Sequence, residues 1–149
     1  MTGKARRPRI AISSSQHSLR VPRKQLAELI AFVAAQEGAS LGEVDLAVVD
    51  SRRIAELNRH YLRHAGTTDV LSFDLSEASR PGLCVQLVVC GDEAVRQGRL
   101  RGLKPQRELM LYVVHGLLHL MGYEDRSIRG AAAMHAREDE ILDAFARRR

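Results

Sequence analysis

Two histidines on a predicted helix are the residues whose types and spacing are best suited to chemistry. In the stretch "HGLLHLMGYED", His115 and His119 stand four residues apart. Side chains at that spacing leave the same face of a helix, so two ring nitrogens can reach one metal ion at about 2.0–2.1 Å. Gly122 favours a helix end and a reversal of the chain, which would bring Asp125 over the two rings. The sequence therefore predicts a metal site with the ligands His115, His119 and Asp125.

Three protein ligands leave one coordination position open, an arrangement typical of catalytic zinc sites. Glu124 and His135 are the alternative third ligands. Zinc proteases of the H-E-x-x-H kind use the Glu after the first His as general base. Here that position holds Gly116. The pattern disfavours peptide hydrolysis by that mechanism and favours a metal-activated water as nucleophile, with another group managing protons and charge.

The length and the hydrophobic periodicity of the sequence predict the helices and strands that position these residues. The chain has 149 residues, 45% of them hydrophobic and 28% charged, which indicates one globular domain over residues 1–149. Period-2 and continuous apolar segments predict strands, and helical spacing with Pro and Gly boundaries predicts helices. The predicted strands are 9–15, 43–50, 69–75 and 83–89, and the predicted helices are 23–38, 51–62, 91–102, 105–122 and about 127–145. Asp50 is expected to cap the second helix.

That order predicts an α+β fold: a small mixed four-stranded sheet with about five helices packed on it, and the metal site on a long central helix. Cys84 and Cys90 lie on one strand face, too far apart for a disulfide, so we expect buried, reduced thiols in a reducing cytoplasm. No apolar run approaches the ~18 residues that span a bilayer, and the N-terminal stretch lacks the apolar segment of a secretory signal. The sequence therefore predicts no membrane association.

The charge is unevenly distributed. The net charge is +5, the first 24 residues hold seven Lys or Arg and no acid, and Arg outnumbers Lys by 20 to 3. Arginine favours bidentate phosphate contacts, so a nucleic-acid partner is one interpretation. The other interpretation is that the charged ends only confer solubility. Charge alone does not decide between the two interpretations.

Two motifs resemble those of a known family. "HGLLHLMGYED" is similar to the signature of the YbeY family of bacterial rRNA-maturation endoribonucleases, and "LNRHYLRHAGTTDVLSFDL", residues 57–75, resembles a second block of that family. The resemblance implies a metal-dependent single-strand endoribonuclease that acts in rRNA maturation and ribosome quality control. It further implies one Zn2+ per chain, a cytoplasmic location, and ribosomal RNA and the ribosome or its small-subunit proteins as partners.

The chain departs from the family pattern at two positions. Asp125 stands where the family typically has a third His, and Leu62 stands where it usually has an Arg. The resemblance implies that Arg63, the next residue, steadies phosphate charge as a catalytic residue; a solvated loop Arg is the alternative. Glu108 lies on the face of His115, where it can support the metal site or, more simply, form a surface ion pair with an Arg. The alternative functions are a ribosome-assembly protein with a structural metal and a zinc hydrolase of another substrate.

Overall fold

The computed structural model describes residues 7–62 and 68–148. These residues form four strands and five helices in the predicted order, and the element bounds differ from the predicted ones by no more than two residues. The strands are β1 (Arg9–Ser14), β2 (Leu41–Val49), β3 (Val70–Asp74) and β4 (Leu83–Cys90). The helices are α1 (Arg23–Glu37), α2 (Ser51–Leu62), α3 (Gly91–Arg101), α4 (Pro105–Leu120) and α5 (Ile128–Arg147).

The sheet has the strand order β1-β2-β4-β3. β1, β2 and β4 are parallel, so that Val44 in the middle strand lies beside Ile10 on one side and Val85 on the other. β3 runs antiparallel to β4 at one edge, with Phe73 opposite Gln86. The near-continuous apolar sequence of β4 fits an interior strand that is covered on both faces. The predicted mixed four-stranded α+β fold is confirmed.

Helix α4 lies at the centre of the larger core. It packs against α1, α3, α5, β3 and β4, and its residues Leu109, Val113 and Leu117 are completely buried. Pro105 begins the helix at its first turn, where a missing N–H costs no helical hydrogen bond. The burial of this helix from several sides explains why its sequence is apolar around most of its circumference. The prediction of a long central helix is confirmed.

The other face of the sheet has a smaller core under α2. Ile54 of α2 packs there with Val49, Leu71 and Val88. Asp50 caps this helix as predicted, since its Oδ1 accepts the N–H of Arg53 at 2.8 Å. Helix α2 therefore covers part of this face of the sheet.

The two cysteines agree with the prediction of buried, unpaired thiols. Cys84 and Cys90 are both free and both buried. Within residues 7–62 and 68–148, none of the helices combines the length and apolar character that crossing a bilayer requires.

Candidate metal centre

The two histidines lie near the C-terminal end of α4, where the helix leaves the core. His115 is half-buried, with 28% of its side chain exposed, whereas His119, one turn further along, is exposed. Leu117 and Leu118 between them are completely buried. The apolar face of the last turn thus holds the helix against the core while the histidine face meets solvent.

A buried carboxylate from α5 holds His115. Glu138 is only 3% exposed, and its Oε2 lies 2.6 Å from His115 Nδ1. Its other oxygen, Oε1, lies 3.1 Å from Nδ1 of His135, one turn earlier on the same helix. The hydrogen bond to Glu138 is the main cause that raises the pKa of His115; burial opposes it, and the charges of Asp69 and Asp125 add to it. In the neutral ring, a proton on Nδ1 leaves the lone pair of Nε2 available for a ligand.

Glu138 was missed by the sequence analysis, although a signal was present. The buried face of α5 is formed by Met134, Ile141 and Phe145, at helical spacing. Glu138 falls within this apolar face, where an ionisable side chain is rare unless it has a partner. A carboxylate in that position predicts a hydrogen-bonding partner on a neighbouring element, and that partner is His115.

The turn after α4 brings Asp125 towards the free nitrogen of His115. Gly122 has a φ of +108°, and the N–H of Tyr123 donates to the carbonyl of Leu118 at 3.0 Å, closing the end of the helix. The chain then reverses, and Asp125 Oδ2 lies 3.9 Å from His115 Nε2. That separation is too long for a hydrogen bond. The expected chain reversal is therefore present, and it places the carboxylate beside the first of the two rings.

The donor set has the chemistry of a divalent-metal site. Two imidazoles and one carboxylate suit zinc, and a carboxylate on Nδ1 is the usual partner of a metal-ligating histidine. In the part of the chain that the structure describes, no three His, Cys, Asp or Glu residues are grouped closely enough to hold a metal ion. By the chemistry of its donors, the site fits a metal at Nε2 of His115 with Asp125 beside it, but the three predicted ligands are not grouped around one point. The complete set with His119, and the alternatives Glu124 and His135, stay predictions.

Gly116 occupies the position at which zinc proteases carry the general base, and it faces the sheet. A Cβ added at Gly116 would lie 2.9 Å from Leu87 Cδ2 and 3.1 Å from Val70 Cγ2. A glutamate there would enter the core between α4 and the sheet instead of reaching the histidines. The absence of a base at this position therefore has a packing cause.

Glu108 was expected to form an ion pair with an Arg at the protein surface. It does pair with an arginine, since Arg101 Nη1 lies 3.4 Å from Glu108 Oε1. The expected surface location is wrong, because Glu108 is only 1% exposed. The cause is the packing of α3 against α4. Arg63, the expected catalytic arginine, lies outside the described residues.

A half-buried histidine that is hydrogen-bonded to a buried carboxylate and lies beside a second carboxylate defines a candidate site for metal or acid–base chemistry. The family model for endoribonuclease YbeY matches residues 10–146, and the chain belongs to that family. The predicted family resemblance is confirmed.

Relatives agree with the family match, and a solved structure agrees with the fold. The chain is 38% identical over 144 residues to endoribonuclease YbeY of a Nocardioides species, covering 90% of this chain and 95% of the relative. It is 40% identical over 131 residues to endoribonuclease YbeY of Moorella thermoacetica, covering 81% and 84%. A solution structure of a Thermotoga maritima protein is similar in fold, with a TM-score of 0.62 at 24% identity, covering 91% of this chain and 88% of that one.

Proposed function

We propose that this protein is a metal-dependent endoribonuclease that cuts single-stranded ribosomal RNA during ribosome maturation and quality control. The observation that carries the proposal is the family match, which spans residues 10–146 and so includes every described residue of the candidate metal centre. The relatives named endoribonuclease YbeY support hydrolysis of RNA as the reaction class.

His115, His119 and Asp125 would hold one Zn2+ per chain. A zinc ion bound there supplies Lewis acidity and lowers the pKa of a water molecule to near neutrality. Glu138 accepts the hydrogen on His115 Nδ1, which keeps the ring in one tautomer and orientation and directs Nε2 outwards. His135 contacts the other oxygen of the same carboxylate, and its side chain is 70% exposed. Arg63 is proposed to steady phosphate charge.

The proposed partners are ribosomal RNA and the ribosome or its small-subunit proteins, and the proposed location is the cytoplasm. The excess of Arg over Lys supports contacts with phosphate. The two free, buried cysteines support a reducing compartment.

Metal content and RNA cleavage, measured together, test the proposal. We expect protein purified without added metal to carry one zinc per chain, and the His115→Ala and Asp125→Ala variants to lose it in chelator competition. The matched control is His17→Ala, which removes an exposed histidine between β1 and α1 and should retain zinc. The metal-loaded protein should cut a single-stranded RNA, and both ligand variants should not.

Two results would contradict parts of this proposal separately. Full zinc affinity in Asp125→Ala would remove Asp125 from the ligand set. Zinc binding without cleavage of any single-stranded RNA would favour a ribosome-assembly protein with a structural metal. Scoring rRNA processing in cells with the same variants separates these roles, because an assembly protein would support processing without cutting RNA itself.

A further inference from the structure

The turn between α4 and α5, residues 121–127, carries Asp125 and holds it near His115. Asp125 Oδ2 lies 3.9 Å from His115 Nε2. Two donors that bind one zinc ion at about 2.0–2.2 Å lie about 3.3 Å apart in a tetrahedral site, and never more than about 4.2 Å apart. A small inward movement of the turn therefore brings both donors onto one metal, whereas an outward movement of the same size separates them too far.

Tyr123 anchors this turn to helix α1. Its hydroxyl donates to the carboxylate of Glu37, at 3.2 Å from Oε2 and 3.4 Å from Oε1, and its side chain packs against the larger core. Asp125 follows two residues later, and two residues of chain span no more than about 7 Å. Fixing Tyr123 therefore limits where the Asp125 carboxylate can lie.

The carboxylate that accepts from Tyr123 is itself fixed by an arginine of α5. Arg137 Nε lies 2.6 Å from Glu37 Oε1, and Arg137 Nη2 donates to the backbone oxygen of Gln36 at 3.3 Å. Both charged side chains are mostly buried, with 13% of Glu37 and 24% of Arg137 exposed. Hydrogen bonds between charged groups are short and strong. Tyr123 therefore donates to an acceptor that is held in one place.

Glu37 occupies a position that the stability of α1 alone disfavours. It is the last residue of this helix, and the last turn contains no basic residue. The negative end of the helix dipole destabilises a carboxylate at such a position. The contacts that Glu37 makes outside its own helix, with Arg137 and Tyr123, offset this cost. The carboxylate therefore acts between elements and not within α1.

The first turn of α5 packs against the other side of the turn. A Cβ added at Gly130 would collide with the backbone oxygen of Glu124, the residue directly before Asp125. The N–H of Gly130 also donates to the Ser127 side chain at 2.9 Å, which fixes the start of α5. The turn is therefore held between α5 on this side and the Tyr123 anchor on the other.

We propose that Tyr123 is a positioning residue of the candidate metal centre, which keeps Asp125 within reach of a metal bound to His115. Glu37 and Arg137 act through Tyr123, because they hold the acceptor of its hydroxyl. This role rests on the proposed function, since it requires Asp125 to be a metal ligand. Helix α1 then contributes to metal affinity, although none of its residues would be a ligand.

Zinc affinity, measured by chelator competition, tests this role separately from activity. Tyr123→Phe removes only the hydroxyl and should weaken zinc binding by about 2- to 10-fold, the fold-change that corresponds to one hydrogen bond. Glu37→Ala should weaken it at least as much, because this variant also releases Arg137. Glu37→Gln should recover most of the affinity, since its amide oxygen still accepts from the Tyr123 hydroxyl.

A double variant and a matched control separate positioning from a general loss of stability. If Glu37 acts through Tyr123, adding Tyr123→Phe to the Glu37→Ala protein should cause no further loss of zinc affinity. The control is Glu28→Ala, which breaks an ion pair between α1 and Arg148, just after α5, more than two helical turns before Glu37. It should keep the zinc affinity of the parent. Urea unfolding of every variant measures the accompanying change in stability.

The positioning role and the proposed function fail in different experiments. Loss of zinc in Asp125→Ala, together with full affinity in Tyr123→Phe and Glu37→Ala, would overturn the positioning role and leave Asp125 as a proposed ligand. Equal losses of zinc affinity in Glu37→Ala and Glu28→Ala would also overturn it, because they would assign the effect to the contact between α1 and α5 in general. Weaker zinc binding in the Tyr123 and Glu37 variants alone, without cleavage of RNA by the parent, would support the positioning role and overturn the proposed endoribonuclease.

Discussion

At the scale of single residues, one buried carboxylate organises the candidate metal centre. Glu138 contacts His115 with one oxygen and His135 with the other. Because both oxygens are occupied, the carboxylate is satisfied despite its burial, and it restrains the His115 ring at Nδ1. The availability of Nε2 for a metal therefore depends on a residue that would not itself be a ligand.

We expect Glu138→Ala to weaken zinc binding by about 10- to 100-fold, the usual cost of losing such a partner. Glu138→Gln should restore much of the affinity, because the amide oxygen still accepts the hydrogen on Nδ1. Chelator competition measures both, with Asp143→Ala, at an exposed position further along α5, as the control. Equal zinc affinity in Glu138→Ala and the parent would exclude the positioning role.

The Asp125→His variant tests what a carboxylate does as the third proposed metal ligand. An imidazole in place of an anion leaves more of the metal's positive charge uncompensated, so a water activated there should be more acidic. RNA cleavage should then reach its full rate at a lower pH than in the parent. Rates across pH and zinc affinity are measured together. An unchanged pH profile with unchanged affinity would show that water activation does not limit the reaction, whereas loss of zinc would show that the turn is built for the shorter side chain.

At the scale of elements, Asp92 joins three segments of the fold. It lies in the first turn of α3, accepts a hydrogen bond from the Ser18 hydroxyl before α1, and accepts the N–H of Ser51 at the start of α2 at 2.7 Å. The Ser18 hydroxyl and then the Ser51 N–H lower the pKa of Asp92. The ionised carboxylate therefore stabilises the junction of these elements.

Asp92→Ala should lower the free energy of unfolding by about 1–2 kcal/mol at pH 7, as expected for hydrogen bonds to a charged group. Because the pKa of Asp92 is lower in the folded protein than the unfolded value of about 3.9, its ionised carboxylate stabilises the fold at pH values above about 3.9. This stabilisation is lost as the pH falls through the folded pKa. The difference between variant and parent should therefore shrink below about pH 4. Urea denaturation from pH 3 to 7 measures it, with the exposed Asp143→Ala as control. A difference independent of pH would assign the effect to packing.

Gly98 permits the close approach of α3 to the segment that leads into α4. A Cβ at this position would lie 2.7 Å from the backbone oxygen of Leu103. Gly98→Ala should therefore destabilise the protein by about 1–3 kcal/mol, the usual cost of overpacking, although alanine is the better helix former. Thermal or urea unfolding tests this against Arg99→Ala at the next, exposed position. A more stable Gly98→Ala protein would show that helix propensity outweighs the contact.

At the scale of the whole molecule, the net charge of +5 is not all available to a partner. Arg148 is paired with Glu28, and its guanidinium lies 3.4 Å from the centre of the Phe145 ring. Arg137 is likewise paired with Glu37, at 2.6 Å. Part of the positive charge near the C-terminus therefore stabilises the contact between α1 and α5.

The remaining positive charge should make RNA binding sensitive to salt. We expect the logarithm of the association constant for a single-stranded RNA to fall linearly with the logarithm of the KCl concentration, since binding releases counterions. Fluorescence anisotropy of a labelled single-stranded RNA, repeated across the range of KCl concentrations, measures the association constant. An RNA association constant that does not change with the KCl concentration would show that charge is not a source of the affinity.

The sequence by itself determined the features that depend on neighbours along the chain. Apolar periodicity is imposed by the geometry of helices and strands, so it predicted the elements and their order. Spacing of four on one helix placed His115 and His119 on one face, and Gly122 marked the end of that helix. The Asp50 cap and the buried, unpaired cysteines were predicted by the same local reasoning. The metal ligands and Arg63 stay predictions.

Only the tertiary structure decided which side chains from distant elements meet. Glu138 lies 23 residues from His115 on a different helix, and no local pattern specifies that pair. The packing of α3 against α4 buries Glu108, and the sheet leaves no room for a side chain at Gly116. The strand order β1-β2-β4-β3 likewise depends on how the connections cross the sheet. Periodicity predicts which face of a helix or strand is apolar. The element that packs against this face depends on the packing of all the elements together, and this packing brings the residues of the site into contact.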